Sequence, residues 1–232
     1  MKILGIDTSS SSLSVAVMDD DLLKGEFTLN HKLTHSEQMM PLLDSLLSHL
    51  ELKMSDIDLI GVSVGPGSFT GIRIGVAAAN AMAMALDIPV VGISSLEAMA
   101  YTAGDVDYTI VSTFDAQRDR FYFNAYRFEN SELKALEAED VLEKEDLIKK
   151  LESYDKVLLL GDAVFINEEL PLNVKKTKRA VRYVRASSVC ELAHRDYLLG
   201  KTAFAVPVYL RKSQAEIQFE ERMSKEVNNG GF

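Results

Sequence analysis

One cysteine, Cys190, is all that the chain has in 232 residues. An intramolecular disulfide and a cysteine-rich zinc site are thereby excluded, and a lone thiol among helix formers reads as a small core side chain. No apolar run reaches the ~20 residues that a bilayer span needs. Met1 leads directly into a strand pattern, without a basic n-region or a cleavable apolar segment, so no secretion signal is expected. A cytoplasmic protein with no membrane partner is the reading that follows. Basic excess is missing as well. The formal net charge is −10, whereas a free-standing nucleic-acid binder usually carries a basic face. The one basic concentration, KKTKRAVRYVR from Lys175 to Arg185, reads as a solvated loop and strand edge. Hydrophobic residues make up 47% of the chain, enough for one large domain or two small ones.

Catalytic constellations are also scarce. There is no nucleophile elbow and no Ser/His/Asp order. His31 and His35 have the i, i+4 spacing of two metal ligands on a helix face. The helix is expected to begin near His35, however, so both read as surface residues flanking its start. His49 and His194 read as lone histidines, and no acidic or cysteine partner is expected for either. Neither covalent catalysis nor a metal site is expected.

What is present is a regular alternation of elements. KILGIDTSSSSLSVAVMDDDLLKGEFTLN reads as three antiparallel strands, with turns at Asp7–Ser12 and at residues 19–21. Thr34 to Leu50 has helical period, with Met39, Leu43, Leu46 and Leu50 on one stripe, and Thr34 with Glu37 forms a capping box. Asp58–Val64 is a fourth strand, Thr70–Leu86 a second helix, IPVVGIS a fifth strand and SLEAMAYTA the start of a third helix. The order β-β-β-α-β-α-β is that of the ribonuclease H-like unit of actin, Hsp70 and sugar kinases. Beyond Gly104, a hairpin around DAQRDR, a buried strand at Val157–Leu160 and a helix at Ser187–Leu199 suggest a second lobe, with no visible sequence repeat. The fold class is α/β with two ribonuclease H-like lobes, the second degenerate. The first spans residues 1–100, the second 101–220, and 221–232 is a frayed tail.

Two loops have the look of phosphate cradles. GVSVGPGSFTGIRIGVA, Gly61 to Ala77, runs from strand through glycine-rich loop to helix, the order that aims backbone N–H groups at an anion. It fails both standard fingerprints. Ile72 stands where a phosphate-loop lysine belongs, and Thr70 replaces the third glycine of G-x-G-x-x-G. The other loop, GIDTSSSS, sets a carboxylate before a hydroxyl-rich turn. Asp7 would serve a cation and Thr8 and Ser9 phosphate oxygens, or the turn simply satisfies itself. Asp7, Thr8, Ser9, Gly65 and Gly67 are the candidate contacts of a residual nucleotide site. Asp115 and Asp162 each end a strand and offer carboxylates for the alternative reading, an autonomous actin-like ATPase or small-molecule kinase.

The second helix is apolar nearly all round, which implies cover on both sides. The first is broader in its apolar face than one core needs. Gly71, Gly75, Ala78 and Ala79 would permit close approach of a partner, and Met39, Leu43, Leu46 and Met82 would supply area.

ILGIDTSSSSLSVAV, THSEQMMPLLDSLL, GVSVGPGSFTGIRIGVAAANAMA, IPVVGISSLEAMA, FDAQRDRFYF and VPVYLRK together resemble the TsaB (YeaZ) family, bacterial accessory proteins of threonylcarbamoyladenosine synthesis on tRNA. The likeness is dense over residues 2–102, with HSE at 35–37 and GPGSFTG at 65–71 the most specific markers. It implies a non-catalytic paralogue of the transferase TsaD that pairs with TsaD and TsaE. It also implies a homodimer when alone, and tRNA reached only through the complex. No cofactor is required of this chain, although ATP or ADP could lie at the complex interface. TsaD carries a metal-binding His-x-x-x-His helix after the strand equivalent to IPVVGIS. Here those positions read Ser95 and Met99, neither a substitute ligand for a hard or borderline cation. An older glycopeptidase label for the family would need that metal and is set aside.

Overall fold

A computed structural model describes residues 1–30, 35–165, 170–178 and 181–211. Thr34, the expected helix cap, His31 and the 221–232 tail lie outside the described residues.

β1 (Lys2–Asp7), β2 (Leu13–Asp19) and β3 (Leu22–Leu29) form an antiparallel meander. After α1 (His35–His49), β4 (Leu59–Gly65) returns parallel to β1; after α2 (Phe69–Leu86), β5 (Val90–Ser94) lies parallel to β4. The sheet order is β3-β2-β1-β4-β5. α3 (Ser95–Thr102) then leads to the second unit, β6 (Thr109–Asp115), β7 (Arg120–Glu129), β8 (Glu132–Ala135), β9 (Asp140–Glu143), α4 (Lys144–Glu152), β10 (Val157–Gly161) and β11 (Val174–Lys176). Its order, β8-β7-β6-β10-β11, repeats the first, with the same antiparallel and parallel pairings. The repeat invisible in the letters is thus explicit in the topology. Its reduction is local: β9 is an added edge pair on β7, β11 has three residues, and a 3-10 turn at Asp162–Phe165 follows β10 where α2 follows β4.

α5 (Ala186–Leu198) and α3 are exchanged between the two halves. α5 packs on β1, β2 and β4, while α3 packs on β6 and β7. The layers therefore run α1 and α2, first sheet, α5 and α3, second sheet, α4. Both faces of each sheet are covered, which explains strands that read as continuous apolar runs. Leu4, Ile6, Val15, Val17, Ile60 and Val62 face α1 and α2, whereas Ile3, Ala16, Met18 and Leu59 face the shared middle layer. Gly5 on β1 makes the close approach of α5 possible, since a Cβ there would lie 2.3 Å from the Ala186 carbonyl. Cys190 sits in that contact, fully buried, its thiol against the carbonyls of Ile3 and Ala16.

α2 is less covered than its composition suggested. Ile72, Val76, Ala79 and Ala83 pack on the first sheet, but Arg73, Ala77, Ala81, Met84 and Ala85 are exposed. By length and hydropathy alone this 18-residue helix passes for a membrane span, yet it stays below the ~20 residues of the expected limit. Its inner face is instead spent on the core.

A closed phosphate loop and a candidate partner surface

Three motifs met separately in the sequence converge at one end of the first sheet. The β1–β2 turn, Asp7 to Ser12, lies against the loop Gly65–Ser68 and the first turns of α2. Thr8 Oγ1 donates to the Gly71 carbonyl at 2.7 Å, and the Ser68 amide donates to the Ser9 carbonyl at 2.7 Å. Ser68 also caps α2, accepting from the Gly71 amide. The glycines are spaced for this contact. A Cβ would meet the Ser9 carbonyl at 2.1 Å from Gly67, the Thr8 carbonyl at 2.0 Å from Gly71, and Thr8 Oγ1 at 2.3 Å from Gly75. His35, at the start of α1, completes the knot through a 2.8 Å hydrogen bond between Nε2 and the Ser10 carbonyl. It is half-buried and structural, which corrects its reading as a surface residue. The family markers HSE and GPGSFTG are two sides of one packing unit.

Asp7 is fully buried at the end of β1. Its Oδ1 accepts from the Ser9 hydroxyl at 2.6 Å and from the Ser9 amide at 3.3 Å. Ser63 faces the carboxyl from β4, yet Asp7 Oδ2 and Ser63 Oγ both lack a hydrogen-bond partner in this arrangement. Burial pushes the Asp7 carboxyl upward, opposed by the hydroxyls of Ser9 and Ser63. Such a group gains from being protonated, because burial penalises its charged form.

Several donors that a phosphate would need are used within the chain: the Thr8 and Ser9 hydroxyls and the Ser9, Gly65, Ser68 and Gly71 amides. Over Gly65 lies a further obstruction: the segment 205–211 crosses the end of the first sheet. The Val208 amide donates to the Val64 carbonyl at 2.8 Å, and a Cβ on Gly65 would stand 2.6 Å from the Val208 carbonyl. The segment is fastened at both ends. Asn80 on α2 brackets Ala205 through its amide and carbonyl, and the Arg211 guanidinium donates to the Ala116 carbonyl in the second lobe. Between them Tyr209 stacks on Phe69 at 4.6 Å and accepts from Arg73 Nε at 2.8 Å. In the sequence VPVYLRK carries only a family likeness. Its role depends on pairing with a strand far away in the chain, which no local pattern announces.

The second sheet mirrors the first here. Asp115 ends β6 as Asp7 ends β1, and each accepts from the amide two residues on, Gln117 at 2.7 Å and Ser9 at 3.3 Å. Asp162, pushed up by burial and by the Asp115 carboxylate, accepts from the Asp115 amide at 2.9 Å. Both carboxylates are thus engaged with backbone. Ser95 and Met99 are fully buried on α3, Ser95 accepting from the Gly65 amide at 3.2 Å. Among the described residues, no cluster of three or more His, Cys, Asp or Glu could hold a metal ion.

The candidate partner surface needs relocating on its own helices. Met39, Leu43, Leu46, Gly71, Gly75 and Ala79 are buried in this chain's core, and Ala78 and Met82 are half-buried. The stripe that marked α1 as amphipathic is the stripe that packs on the first sheet. Facing outward are Ser36, Glu37, Met40, Pro41, Asp44, Ser48 and His49 on α1 and Arg73, Ala77, Ala81, Met84 and Ala85 on α2. The α2 side is small and apolar apart from Arg73, and Met40 and Pro41 continue it on an otherwise polar α1.

A relative from Bacillus subtilis, named tRNA threonylcarbamoyladenosine biosynthesis protein TsaB, is 34% identical over 230 residues, 95% of this chain and 99% of the relative. The chain belongs to the TsaB family. A relative of the same name from Escherichia coli is 29% identical over 93% of this chain and 96% of its own length. The family model of TsaD, described as tRNA N6-adenosine threonylcarbamoyltransferase, matches residues 29–219. In structure, YeaZ from Pseudomonas aeruginosa superposes with a TM-score of 0.75 at 24% identity, over 90% of this chain and 99% of that one. The ethanolamine utilization protein EutJ from Carboxydothermus hydrogenoformans shares the fold more distantly, with a TM-score of 0.51 at 9% identity. The two-lobed actin-like fold expected from the order of elements is confirmed.

Proposed function

We propose that the chain serves tRNA threonylcarbamoyladenosine biosynthesis as a non-catalytic subunit, pairing with TsaD through the outer faces of α1 and α2 and working with TsaE. Alone, it pairs with a second copy through the same helices. It meets tRNA only within the complex, in the cytoplasm, and needs no cofactor of its own; any ATP or ADP lies at the joint between subunits. The observation that carries this reading is the set of apolar side chains Met40, Ala77, Ala81, Met84 and Ala85, exposed among the described residues, next to a phosphate loop in which the Thr8 hydroxyl and the Ser68 amide are bonded internally. The names of the relatives supply the process, and the TsaD model match supports a transferase of like fold as the partner. An autonomous ATPase is disfavoured, because Asp115 and Asp162 bond backbone and the turn at Thr8 and Ser9 is closed.

The test is reconstitution. Threonylcarbamoyl transfer to tRNA is measured with TsaD and TsaE, with and without this chain, alongside ATP turnover by the chain alone. Transfer that depends on the chain, with no turnover by it alone, is expected. Transfer that proceeds equally well without it, or sustained ATP hydrolysis by the isolated chain, overturns the reading.

A further inference from the structure

We propose that the basic rim of the second sheet, Lys175, Lys176 and Lys178, is a docking surface for the RNA phosphodiester backbone when the chain stands in its complex; the inference rests on the function proposed above.

β11 closes the second sheet at one edge, with β10 on one side and no strand on the other among the described residues. Lys175, Lys176 and Lys178 are all exposed there. Successive residues of a strand point to opposite faces, so 175 and 176 put positive charge on both sides of the rim. Lys175 Nζ lies 5.7 Å from the centre of the Tyr108 ring, which holds that ammonium along the edge.

The charge environment separates this rim from the rest of the surface. From Leu170 to Cys190 the sequence has six Lys and Arg and no Asp or Glu, in a chain of formal charge −10. Several exposed lysines elsewhere are matched with carboxylates, Lys134 with Glu132, Lys149 with Asp146, Lys156 with Asp107 and Lys201 with Asp196, and Lys24 and Lys53, which are in no ion pair among the described residues, have Asp or Glu two or three residues away in the chain. Lys175 and Lys178 are in no ion pair among the described residues. Arg185, the last cation of the run, is committed to Glu26 and takes no part. An acidic protein that keeps one basic edge without Asp or Glu in its own stretch of sequence repels most polyanions and accepts one where that edge is presented.

Lysine chemistry narrows the ligand further. Ammonium groups make point-charge contacts without the planar fork that reads base edges, and such contacts position a nucleic acid without specifying its sequence. Tyr108 lies under Lys175 instead of forming a stacking platform, so phosphates and not unstacked bases are the match. The rim belongs to the second sheet and the outward helices to the first. A partner subunit and an RNA backbone can therefore be held together.

The experiment uses the chain assembled with TsaD and TsaE and an unmodified tRNA transcript. The triple variant Lys175→Glu, Lys176→Glu, Lys178→Glu is compared with wild type for tRNA affinity between 50 and 200 mM salt, roughly the range where phosphate contacts dominate. Assembly and melting are followed in parallel. Expected is a loss of about tenfold or more in tRNA affinity. The slope of log affinity against log salt should become shallower by about 2 to 3, near 0.9 per lost contact, with assembly and melting unchanged. Wild-type affinity and slope in the variant overturn the proposal. So does loss of assembly, which would set the rim against an acidic surface of a partner subunit. Binding of the isolated wild-type chain to anionic phospholipid vesicles, lost in the variant while tRNA affinity holds, also overturns it. Failure of the functional reading looks different, since the wild-type chain would then add nothing to transfer on tRNA.

Discussion

Thr8 and Gly71 are locked to one another: the threonine hydroxyl donates to the Gly71 carbonyl at 2.7 Å, while the Thr8 carbonyl occupies the space where a Gly71 side chain would be. Inside an ordinary helix, Gly→Ala stabilises by about 0.5–1 kcal/mol. On α2 the sign should reverse. Gly71→Ala drives a methyl into backbone that cannot rotate away, and overpacking of this kind costs about 1–3 kcal/mol. Gly75→Ala meets only the Thr8 hydroxyl, with the next Thr8 atoms at 3.5 Å. Thr8→Ala should therefore rescue Gly75→Ala in a double-mutant cycle and leave Gly71→Ala unrelieved. Equal rescue of both by thermal melting would show that the backbone contact is softer than described.

Asp7 makes a pH-dependent claim. Its carboxyl is raised by burial, so the native state holds its proton more tightly than the unfolded chain does. Stability from this group is then fullest below the unfolded value, near 3.8, and falls as pH rises from there toward the folded value. Asp7→Asn removes the ionisation and offers Nδ2 to Ser63, while its oxygen still accepts from Ser9. The variant should melt a few degrees higher than wild type at pH 7, with the gain shrinking as pH falls to about 4. A variant less stable than wild type at pH 7 would mean that the carboxylate charge is wanted where it is.

Much of this was legible. Strands buried on both faces, β1, β2, β4 and β10, read as unbroken apolar runs, and the α1 stripe announced itself by period. β8, β9, β11 and α4 were not, for a physical reason. Leu133 is the one buried residue of β8, β9 and β11 have none, and α4 buries only Leu147 and Leu151 among its charges. Elements that bury so little leave little pattern. At the site, the spacing of Gly67, Gly71 and Gly75 showed that something approaches closely, but not what. A nucleotide phosphate and a neighbouring turn require the same missing side chains, and only the tertiary structure distinguishes them. The same ambiguity put the candidate partner residues Met39, Leu43 and Leu46 on the stripe of α1 that packs on the first sheet.

Glu26 couples β3 to the exchanged helix α5. Its carboxylate accepts from the Arg185 guanidinium and, at 3.0 Å, from both the amide and the hydroxyl of Ser187, capping a helix whose own N-cap residue makes no side-chain cap. The Glu26 side chain is nearly buried while Arg185 remains part exposed, so the stranded cation can reach water after truncation. Glu26→Ala should therefore cost about 2 kcal/mol, the sum of a lost cap and a charge-assisted bond. Arg185→Ala should cost less, since Ser187 still holds the carboxylate. The opposite ranking in denaturant melts would make the arginine, not the cap, the principal contact.

The partner face is tested by two methionines one residue apart. Met39 is 3% exposed and Met40 is 48% exposed, and on α2 Met84 is 72% exposed. Adjacent helical residues differ by about 100° around the axis, so 39 belongs to the core and 40 to the outside. Met39→Glu buries an unpaired carboxylate at a cost of several kcal/mol, a large share of the roughly 5–15 kcal/mol that holds a domain folded. It should lower the melting temperature sharply or prevent folding. Met40→Glu with Met84→Glu meets water in the isolated chain and should change stability by no more than about 0.5 kcal/mol per site. In an assembled interface the same charges are desolvated without partners, again at several kcal/mol, so pairing with TsaD and with a second copy should be lost by light scattering. A doubly charged variant that still pairs with wild-type affinity would exclude the outer faces of α1 and α2 as the joint. Were Met39→Glu instead to melt normally and dissociate, α1 would be presenting the stripe here assigned to the core, and the whole surface would rotate with it.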